Sequence, residues 1–296
     1  MAHRYELVRA DCLEWLHKRA ARSIHAVVTD PPYGVLEYTP SELKKRQNGN
    51  GVWRLPQGFD GFQRRLAPRF ADLRPADLTE IERFHRRLAP LLLRVLVPGG
   101  HLVMSSQNLL LAHVIAAYHD VGFECRGVVA RVVKTFRGGD RPKGAHEVFP
   151  EVSVLPRSCW EPWLLFRKPM PGTIHANLKN WKTGALRRPS KDQPFMDLIS
   201  VGPARGIERE LADHPSVKPQ RLMRQLVRAA LPLGKGVLLD PFMGSGSTIA
   251  AAEHLKIKSI GIERDRDYYR MARAAIPVLA DISIEEASRP MRNGQH

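Results

Sequence analysis

The feature that most constrains the fold of this chain is the alternation of short apolar runs with amphipathic helical stretches. Stretches such as "TEIERFHRRLAPLLLRVL" and "KPQRLMRQLVRAALP" repeat apolar residues at helical spacing. Runs such as "HAVVTD", "HLVMSS" and "KSIGIERD" have the length and composition of buried strands. Because such alternation builds parallel strands joined by crossover helices, it predicts an α/β fold. Its sheet is expected to be mostly parallel and twisted, with helices on both faces.

Local signals indicate where some elements begin and end. The run "YELVRADC", Tyr5 to Cys12, predicts the first strand. Thr79 and Glu82 have the spacing of a capping box, so the long helix is expected to begin at Thr79. The Pro-Gly-Gly stretch at residues 98–100 predicts the end of that helix, because proline and glycine interrupt helical backbone.

The middle of the chain lacks this regular pattern. It is rich in proline, glycine and basic residues between the predicted strands "GVVARVVKTF" and "WEPWLLFRK", and again from Pro169 to His214. Little apolar periodicity remains there, which is typical of irregular segments. We therefore expect this portion, roughly residues 134–213, to form an insertion in or beside the sheet.

The charge balance indicates a polyanionic partner. The chain has 296 residues, with 46 Lys and Arg against 30 Asp and Glu, which gives a net charge of +16. Such an excess favours nucleic acid, the commonest polyanion, although a generally basic proteome would produce it as well.

Composition also argues against several classes of protein. Cys12, Cys125 and Cys159 are far apart and form no CxxC pair, so neither a structural zinc site nor a disulfide framework is expected. No apolar run approaches the roughly 20 residues needed to cross a bilayer. The N-terminal "MAHRYELVRADC" has no apolar signal-peptide core. We therefore expect a soluble, cytoplasmic protein without a metal or membrane contact.

Two predicted strands end in unusual polar sequences. "VVTDPPYG", Val27 to Gly34, stops at an acid, two prolines and an aromatic, which fits either a stiff turn or groups held rigid for chemistry. "VLLDPFMGSGST", Val237 to Thr248, passes from a strand through Gly244 and Gly246 into a helix. Such glycines let a ligand approach the backbone, although an ordinary tight turn also uses them. Glu263, at the next strand end, has the position of an acid that accepts ribose hydroxyls.

These motifs resemble those of a known family. "DPFMGSGST" is similar to the S-adenosylmethionine-binding motif of DNA amino-methyltransferases, and "TDPPYG" to their catalytic (D/N/S)PP(Y/F/W) motif. "HPSVKP", His214 to Pro219, resembles the segment that precedes the cofactor motif in one circularly permuted class. The order, with the catalytic motif first, is that of the β class. Methyltransferases acting on glutamine side chains or ribosomal RNA as a rule carry the cofactor motif first.

The resemblance implies a Rossmann-like, S-adenosylmethionine-dependent methyltransferase fold with an irregular target-recognition insertion. It covers about residues 5–35, 80–135, 160–168 and 212–275 and does not place the insertion. The predicted parts are a circularly permuted catalytic domain, the insertion and a frayed C-terminal tail. They comprise, in that order, residues 1–134, 160–168 and 214–280; residues 135–159 and 169–213; and residues 281–296.

For the cofactor, S-adenosyl-L-methionine, the resemblance implies a pocket shared by several motifs. Glu263 would hold the ribose hydroxyls, and Asp11 would reach toward the adenine with Cys12 beside it. Ser216 and Lys218 would meet the methionine carboxylate, for which a hydroxyl and a cation are suitable. Asp11 could instead be a cap or turn residue, Lys218 an exposed lysine and Cys12 a structural residue. The implied set is Asp11, Cys12, Asp30, Ser216, Lys218, Asp240, Pro241, Phe242, Gly244, Ser245, Gly246, Ser247, Thr248, Glu263 and Arg264.

The family's chemistry implies a catalytic role for Asp30, Pro31, Pro32 and Tyr33. A methyl group moves to the exocyclic amine of a base flipped out of duplex DNA, which leaves S-adenosyl-L-homocysteine, and no metal is needed. The Asp30 carboxylate and the stiff Pro31 carbonyl would accept the two N–H groups of the amine, while Tyr33 stacks on the base. In the family, Asp at this position usually accompanies N6 of adenine and Ser N4 of cytosine. We therefore expect adenine, with N4-cytosine as the alternative.

Contacts to double-stranded DNA are predicted in three basic segments. Arginine can read guanine edges and lysine tends to meet phosphate, although each segment could also be a solvated loop. Trp53 could fill the gap left by a flipped base, or simply pack. The predicted contacts are Lys44, Lys45, Arg46 and Trp53 after the catalytic motif, then Arg137, Arg141 and Lys143, and finally Lys179, Trp181, Lys182, Arg187 and Arg188.

Two other functions stay open from the sequence: a nucleic-acid-binding module with a vestigial cofactor site, and an RNA methyltransferase of the same fold. The first would be expected to have lost Asp30, Tyr33, Gly246 or Glu263, and all four are present. The resemblance also allows a homodimer and a cognate restriction endonuclease as partners, and a location at the nucleoid.

Overall fold

The computed structural model describes residues 3–33, 75–137, 147–154, 156, 158–211 and 217–283. Eight strands are found in these segments, several of them near the bounds that the apolar runs predict. They are β1 (Tyr5–Arg9), β2 (Ile24–Thr29), β3 (Leu96–Ser105), β4 (Glu124–Arg137), β5 (Ser158–Arg167), β6 (Leu198–Ser200), β7 (Val237–Asp240) and β8 (Lys258–Glu263).

The strands form one sheet in the order β1-β8-β7-β2-β3-β5-β4-β6. Strand β5 runs antiparallel to its neighbours β3 and β4. The remaining neighbouring pairs are parallel. The prediction of a mostly parallel α/β sheet is therefore confirmed.

Helices cover both faces of the sheet, as expected. Helices α1, α2 and α3 contribute to one core. Helices α6 and α7 contribute to the core on the other face, and α8 packs beside α7. No helix in the described segments combines the length and the apolar character that crossing a bilayer requires. The helices are α1 (Cys12–Lys18), α2 (Pro75–Val95), α3 (Leu111–His119), α4 (Ile174–Trp181), α5 (Ile207–Glu210), α6 (Gln220–Ala230), α7 (Ser247–His254) and α8 (Arg266–Asp281).

The apolar runs are continuous because the central strands are buried on both faces. In β2, Val27 packs with α1–α3, whereas Ala26 and Val28 pack with α6 and α7. In β5, Phe166 and Trp163 divide between the two cores in the same way. All five side chains are fully buried, so neither face of these strands needs polar residues.

Four acidic residues lie at one end of the sheet, which we call the carboxyl edge. Asp11 follows β1, Asp30 follows β2, and Asp240 and Glu263 end β7 and β8. Strands β7 and β2 are neighbours, yet the next helix after β7 lies on one face and the next described helix after β2 on the other. Crossovers that leave toward opposite faces open a crevice between strand ends, which is where ligands bind in open α/β sheets. We call the opposite end the amino edge.

Three predicted element bounds are wrong. Helix α2 begins at Pro75, so Thr79 lies within it and its hydroxyl donates to the carbonyl of Pro75. Proline needs no N–H partner in the first turn, which makes Pro75 a suitable start. Residues 98–100 do not end the helix but belong to β3, where the N–H of Gly99 donates to the carbonyl of Lys168. Strand β1 stops before Asp11, which caps α1 instead.

Part of the predicted insertion belongs to the main sheet. Residues 169–211 contain α4, the short strand β6 and α5. Strand β6 pairs in parallel with β4 at the end of the sheet. The guanidinium of Arg131, on β4, also donates to the carbonyls of Val201 and Gly202 just after β6. A three-residue strand is too short to show periodicity in a sequence, and only its pairing makes it visible. The predicted domain bounds stay a prediction.

Candidate active site

The motifs TDPPYG and DPFMGSGST, which end β2 and β7, meet at the carboxyl edge through Asp240. The hydroxyl of Thr29, at the end of β2, donates to Oδ1 of Asp240 at 2.7 Å. The backbone N–H of Phe242 donates to the same oxygen at 3.1 Å. Burial raises the pKa of Asp240 to about 6, and the hydrogen bonds from Thr248, Thr29 and Phe242 oppose that rise. Asp240 therefore fixes the end of β7 against the end of β2 immediately before Asp30.

The glycine turn after β7 is tied to Glu263. Gly244 and Gly246 have φ of +51° and +85°, a region that glycine adopts without strain. The N–H of Gly244 donates to Oε2 of Glu263 at 3.0 Å, and the N–H of Asp265 donates to Oε1 at 2.8 Å. A Cβ on Gly246 would lie 2.5 Å from Cγ1 of Ile276 on α8. The turn thus packs against α8 on one side, and its small residues, Gly244 and Gly246, leave room for a ligand at the crevice.

The remaining cofactor residues predicted in this motif lie around the turn. Pro241, Ser245, Ser247 and Thr248 are buried, Phe242 is half-buried and Arg264 is exposed. The predicted cofactor set of β7 and β8 is thus brought together in one place.

Asp11 and Cys12 form the start of α1. Oδ1 of Asp11 accepts the backbone N–H groups of Leu13 and Glu14, which makes Asp11 a helix cap. The side chain of Cys12 is buried, and this burial, followed by the charge of Asp11, raises the pKa of the thiol to about 12. A thiol that stays protonated is a poor nucleophile, and Cys12 packs in the core that contains α1–α3. A contact between Cys12 and the cofactor stays a prediction.

The carboxylate of Asp30 is held on both oxygens. The hydroxyl of Tyr33 donates to Oδ1 at 3.0 Å, and the ammonium of Lys218 lies 2.9 Å from Oδ2. The Tyr33 oxygen also lies 2.7 Å from Oγ of Ser105, at the end of β3. Pro31 is buried and Pro32 is exposed, so the motif turns outward after its first proline. The orientation of the Asp30 carboxylate is therefore set by side chains of the protein itself.

Three buried residues around Asp30 were missed by reasoning from sequence. Glu161, on β5, lies 2.8 Å from Lys218 and accepts the hydroxyl of Ser105 at 3.1 Å. Arg131 of β4 donates to the other oxygen of Glu161 at 2.7 Å. For Arg131 and Glu161 the available signal was a charged residue inside an otherwise apolar strand, as in "VVARVV" and "WEPWLLF".

Lys218 has contacts that the family resemblance did not imply. Its side chain is buried, and its ammonium lies between the carboxylates of Asp30 and Glu161. It is therefore not an exposed lysine at a helix start. A role at the methionine carboxylate stays a prediction, since two carboxylates already compensate its charge.

Several predicted residues lie outside the described segments. Arg137 is described only by its backbone, as the last residue of β4. The others are Ser216 in the proposed methionine site and the predicted DNA contacts Lys44, Lys45, Arg46, Trp53, Arg141 and Lys143.

One predicted DNA-binding segment lies at the amino edge of the sheet. The amide of Asn177, on α4, donates to the carbonyl of Pro98 at 3.1 Å, and the N–H of Arg187 donates to Ala229 near the end of α6. From Pro98 to Ser105 the strand extends about 23 Å, at about 3.3 Å a residue. DNA contacts from this segment stay a prediction; the residues are Lys179, Trp181, Lys182, Arg187 and Arg188.

Comparisons with known proteins show similar sequences and a similar fold. The type II methyltransferase M.HindIII of Haemophilus influenzae is 25% identical over 294 residues, which cover 90% of this chain and 93% of that protein. The Thermus thermophilus protein TTHA0409, solved with S-adenosyl-L-methionine, has a TM-score of 0.54 and 22% identity over 95% of this chain and 97% of its own. The cytosine-N4-specific PvuII DNA methyltransferase has a TM-score of 0.61 and 17% identity, covering 97% of this chain and 90% of its own.

The family assignment follows from the breadth of the sequence match. A model of the DNA methylase family, N6_N4_Mtase, matches residues 24–274. This range includes the end of β2 with Asp30, the end of β7 with Asp240, and Glu263, the residues that the fold brings to one edge. The chain therefore belongs to the DNA methylase family of N6 and N4 methyltransferases.

Proposed function

We propose that this DNA methyltransferase moves a methyl group from S-adenosyl-L-methionine to N6 of a flipped adenine in duplex DNA. One observation carries the proposal: the hydrogen bond from Thr29 to Asp240, 2.7 Å long, joins the catalytic motif to the glycine turn. It brings the acceptor group of Asp30 beside the turn that would hold the cofactor.

The residues of the carboxyl edge suit the cofactor's polar groups. Both oxygens of Glu263 accept backbone N–H groups, but a carboxylate offers about four lone-pair sites, so ribose hydroxyls can be added. The turn at Gly244 and Gly246 presents backbone without side chains. The adenine end of the cofactor would reach the carboxylate of Asp11, which caps α1. When bound, the cofactor supplies a methyl group on a positively charged sulfur.

The chain's own task is to prepare the amine. The lone pair of an exocyclic amine is delocalised into the base ring, so the amine is a weak nucleophile. The carboxylate of Asp30 and the carbonyl of Pro31 would each accept one N–H, which favours a tetrahedral nitrogen and frees its lone pair. Tyr33, whose hydroxyl is fixed by Asp30 and Ser105, would present its ring to the base. Fixed geometry of this kind accounts for much of enzymatic rate acceleration.

Adenine is the proposed base because Asp, not Ser, opens the catalytic motif. Cytosine N4 is the alternative, since the same two acceptors would serve either amine. The proposal also includes a homodimer, a location at the nucleoid and a cognate restriction endonuclease. The name of M.HindIII, a type II methyltransferase, supports the last of these.

The proposed DNA contacts are the basic Lys44, Lys45 and Arg46 and the aromatic Trp53, which follow Tyr33 in the chain, together with the basic Arg137, Arg141 and Lys143. Their support is continuity with the catalytic motif and with the end of β4.

The experiment is to express the chain in a host without DNA methylation and to identify modified nucleosides by mass spectrometry. N6-methyladenine confirms the proposal, and N4-methylcytosine instead would replace it with the alternative. Single-molecule sequencing of the same DNA gives the recognition sequence. If the purified protein binds the cofactor but no methylated base is found in the DNA, the proposal is contradicted.

The variant that tests the role of Asp30 is Asp30→Ala. Removing the acceptor should lower the rate of methyl transfer by about 10²- to 10⁴-fold, the range for groups that act directly on a reacting proton or amine. Cofactor affinity, measured by calorimetry, should change little because Asp240 and Glu263 are retained. Unchanged turnover in this variant would remove Asp30 from the mechanism.

A further inference from the structure

Both oxygens of the Asp30 carboxylate are connected, through contacts of other side chains, to one buried carboxylate, that of Glu161. On one side, Lys218 lies 2.9 Å from Oδ2 of Asp30 and 2.8 Å from Oε1 of Glu161. On the other side, Tyr33 contacts Oδ1 of Asp30 at 3.0 Å and Ser105 at 2.7 Å, and Ser105 reaches Oε1 of Glu161 at 3.1 Å. These contacts close a ring, which we call the Asp30 ring, with Asp30 and Glu161 at opposite ends.

The Glu161 end of the ring is fixed to the sheet. Glu161 and Arg131 are paired directly across β5 and β4, and the guanidinium donates to Oε2 of Glu161 at 2.7 Å. The same guanidinium donates to the carbonyls of Val201 and Gly202. The side chains of Glu161 and Arg131 are 2% and 3% exposed, and separating two buried, paired charges is costly.

The hydroxyl groups of the ring have fewer protons than contacts. Tyr33 and Ser105 carry one hydroxyl proton each, yet they make three contacts, with Asp30, with each other and with Glu161. If Tyr33 donates to Asp30, Ser105 can donate to Tyr33. If Tyr33 turns to Ser105, then Ser105 donates to Glu161, and Oδ1 of Asp30 can accept an N–H of the substrate. Only rotation of two hydroxyls separates the arrangements, and no proton leaves the ring.

We propose that Glu161 is a positioning residue for methyl transfer, acting on Asp30 through Lys218 and through the Ser105–Tyr33 pair. It sets the direction of the Asp30 carboxylate, and it accepts the hydrogen bond from the Ser105 hydroxyl when Tyr33 releases Oδ1 of Asp30. This rests on the proposed function of Asp30 as an acceptor for the amine. Neither Glu161 nor its anchor Arg131 lies in the three motifs that define the family resemblance.

The test compares Glu161→Gln with a matched variant, Glu124→Gln. Glu124 also joins β5 from β4, through Arg167, but it makes no contact with the Asp30 ring. The measurement is the single-turnover rate of methyl transfer on duplex DNA with saturating cofactor, in the full-length protein. Glu161→Gln should be slower by about 10- to 100-fold, the effect of misplacing a reacting group by about 1 Å. Glu124→Gln should keep the rate of the wild type.

Cofactor affinity separates a positioning role from a purely structural one. The calorimetric Kd for S-adenosyl-L-methionine in Glu161→Gln should stay within about twofold of the wild-type value, because the glycine turn and Glu263 are untouched. A loss of rate accompanied by an equal loss of cofactor affinity would overturn the proposal.

A second variant decides the matter if Glu161→Gln does not fold. Ser105→Ala removes one side of the ring without leaving a buried charge, and should slow methyl transfer by about 3- to 10-fold at unchanged cofactor Kd, as expected for one hydrogen bond. A wild-type rate in Ser105→Ala would overturn the proposal in that case. If both variants fold, wild-type rates in both would overturn it.

The result also distinguishes this proposal from the proposed function. If wild-type protein methylates DNA and Asp30→Ala does not, the function of Asp30 stands. Unchanged Glu161 and Ser105 variants would then refute only the positioning role. If the wild-type protein transfers no methyl group, the proposed function fails first.

Discussion

Two aspartates at neighbouring strand ends have different surroundings and different roles. Asp240 is 2% exposed and bound by the Thr29 hydroxyl and the Phe242 N–H, and its burial raises its pKa to about 6. Asp30 is 16% exposed in its side chain and faces an ammonium and a phenol. Both are followed by proline, so sequence alone makes them look alike. The contacts of Asp240 hold the strand ends together, whereas the more exposed position of Asp30 suits its proposed contact with the substrate.

Glu263→Ala should weaken cofactor binding by about 10- to 100-fold, the effect of losing hydrogen bonds to a charged group. The change removes the proposed ribose acceptor and also the partner of the Gly244 N–H. Calorimetry with S-adenosyl-L-methionine measures it. Asp267→Ala, a change of an exposed residue at the start of α8, is the control and should bind normally. Equal affinities of both variants would count against the role of Glu263.

At the scale of elements, the start of α7 depends on Gly246. Alanine there would have to adopt φ of +85° and place its Cβ 2.5 Å from Ile276. Gly172→Ala is a matched control, because Gly172 has φ of +76° but no atom within 4 Å of an added Cβ. We expect about 1–2 kcal/mol of destabilisation from backbone strain in the control. Gly246→Ala should be destabilised by about 1–3 kcal/mol more, because of steric overlap.

Chemical denaturation measures both losses. Equal free energies of unfolding for the Gly246 and Gly172 variants would show that Ile276 gives way without cost. Packing against α8 would then not explain the small residue at this turn.

Helix α6 receives its N-terminal cap from a separate element. Oε1 of Glu208, on α5, accepts the backbone N–H of Gln220 at 2.6 Å. Burial raises the pKa of Glu208 from 4.5 to about 7, and the backbone donors with Arg224 and Arg131 oppose this. A carboxyl group with a raised pKa in the folded state adds stability below its unfolded pKa. That contribution is lost as the pH rises through about 7.

Glu208→Gln should therefore gain stability relative to wild type as the pH rises. Glutamine keeps an acceptor for the Gln220 N–H but has no charge to bury. The difference in Tm, variant minus wild type, should be larger at about pH 8.5 than at about pH 5.5, by several degrees for a chain of this size. Glu6→Gln, at an exposed position of β1, is the control. A difference that does not vary with pH would contradict the assignment.

The sequence predicted best those elements whose apolar residues form a clear run or a clear helical repeat. Strands β2, β7 and β8 and helices α6 and α8 follow their apolar runs closely. The start of α2 was missed because a proline can begin a helix as well as a capping box can. Strand β6 was missed because its pairing with β4, rather than its composition, makes it a strand.

For the whole molecule, a net charge of +16 predicts binding to DNA that weakens steeply with salt. Each phosphate neutralised releases counterions, so about six contacts would lower affinity about 10³-fold between about 50 and 200 mM salt. Fluorescence anisotropy with a labelled duplex measures the slope. A flat profile would contradict the charge argument.

Variants of two predicted DNA-binding segments can be compared in the same assay. Replacing Lys44, Lys45 and Arg46 by alanine should flatten the slope by about one unit for each phosphate that the protein no longer neutralises. Replacing Lys179 and Lys182, which belong to the segment at the amino edge, should also flatten the slope if they contact phosphate as predicted. An unchanged slope in the second variant would contradict the prediction for that segment.

The sequence alone determined the fold class and the two strand ends with their motifs, because apolar periodicity and Gly-Pro turns are local properties of the chain. It also placed Asp30, Asp240 and Glu263 at strand ends, which parallel pairing then gathers at one edge. Only the tertiary structure decided what surrounds Asp30. Lys218, Glu161, Ser105 and Arg131 come from different parts of the chain, and their contacts depend on which strands are neighbours. Buried charges are stable only beside a partner, and no local pattern names that partner.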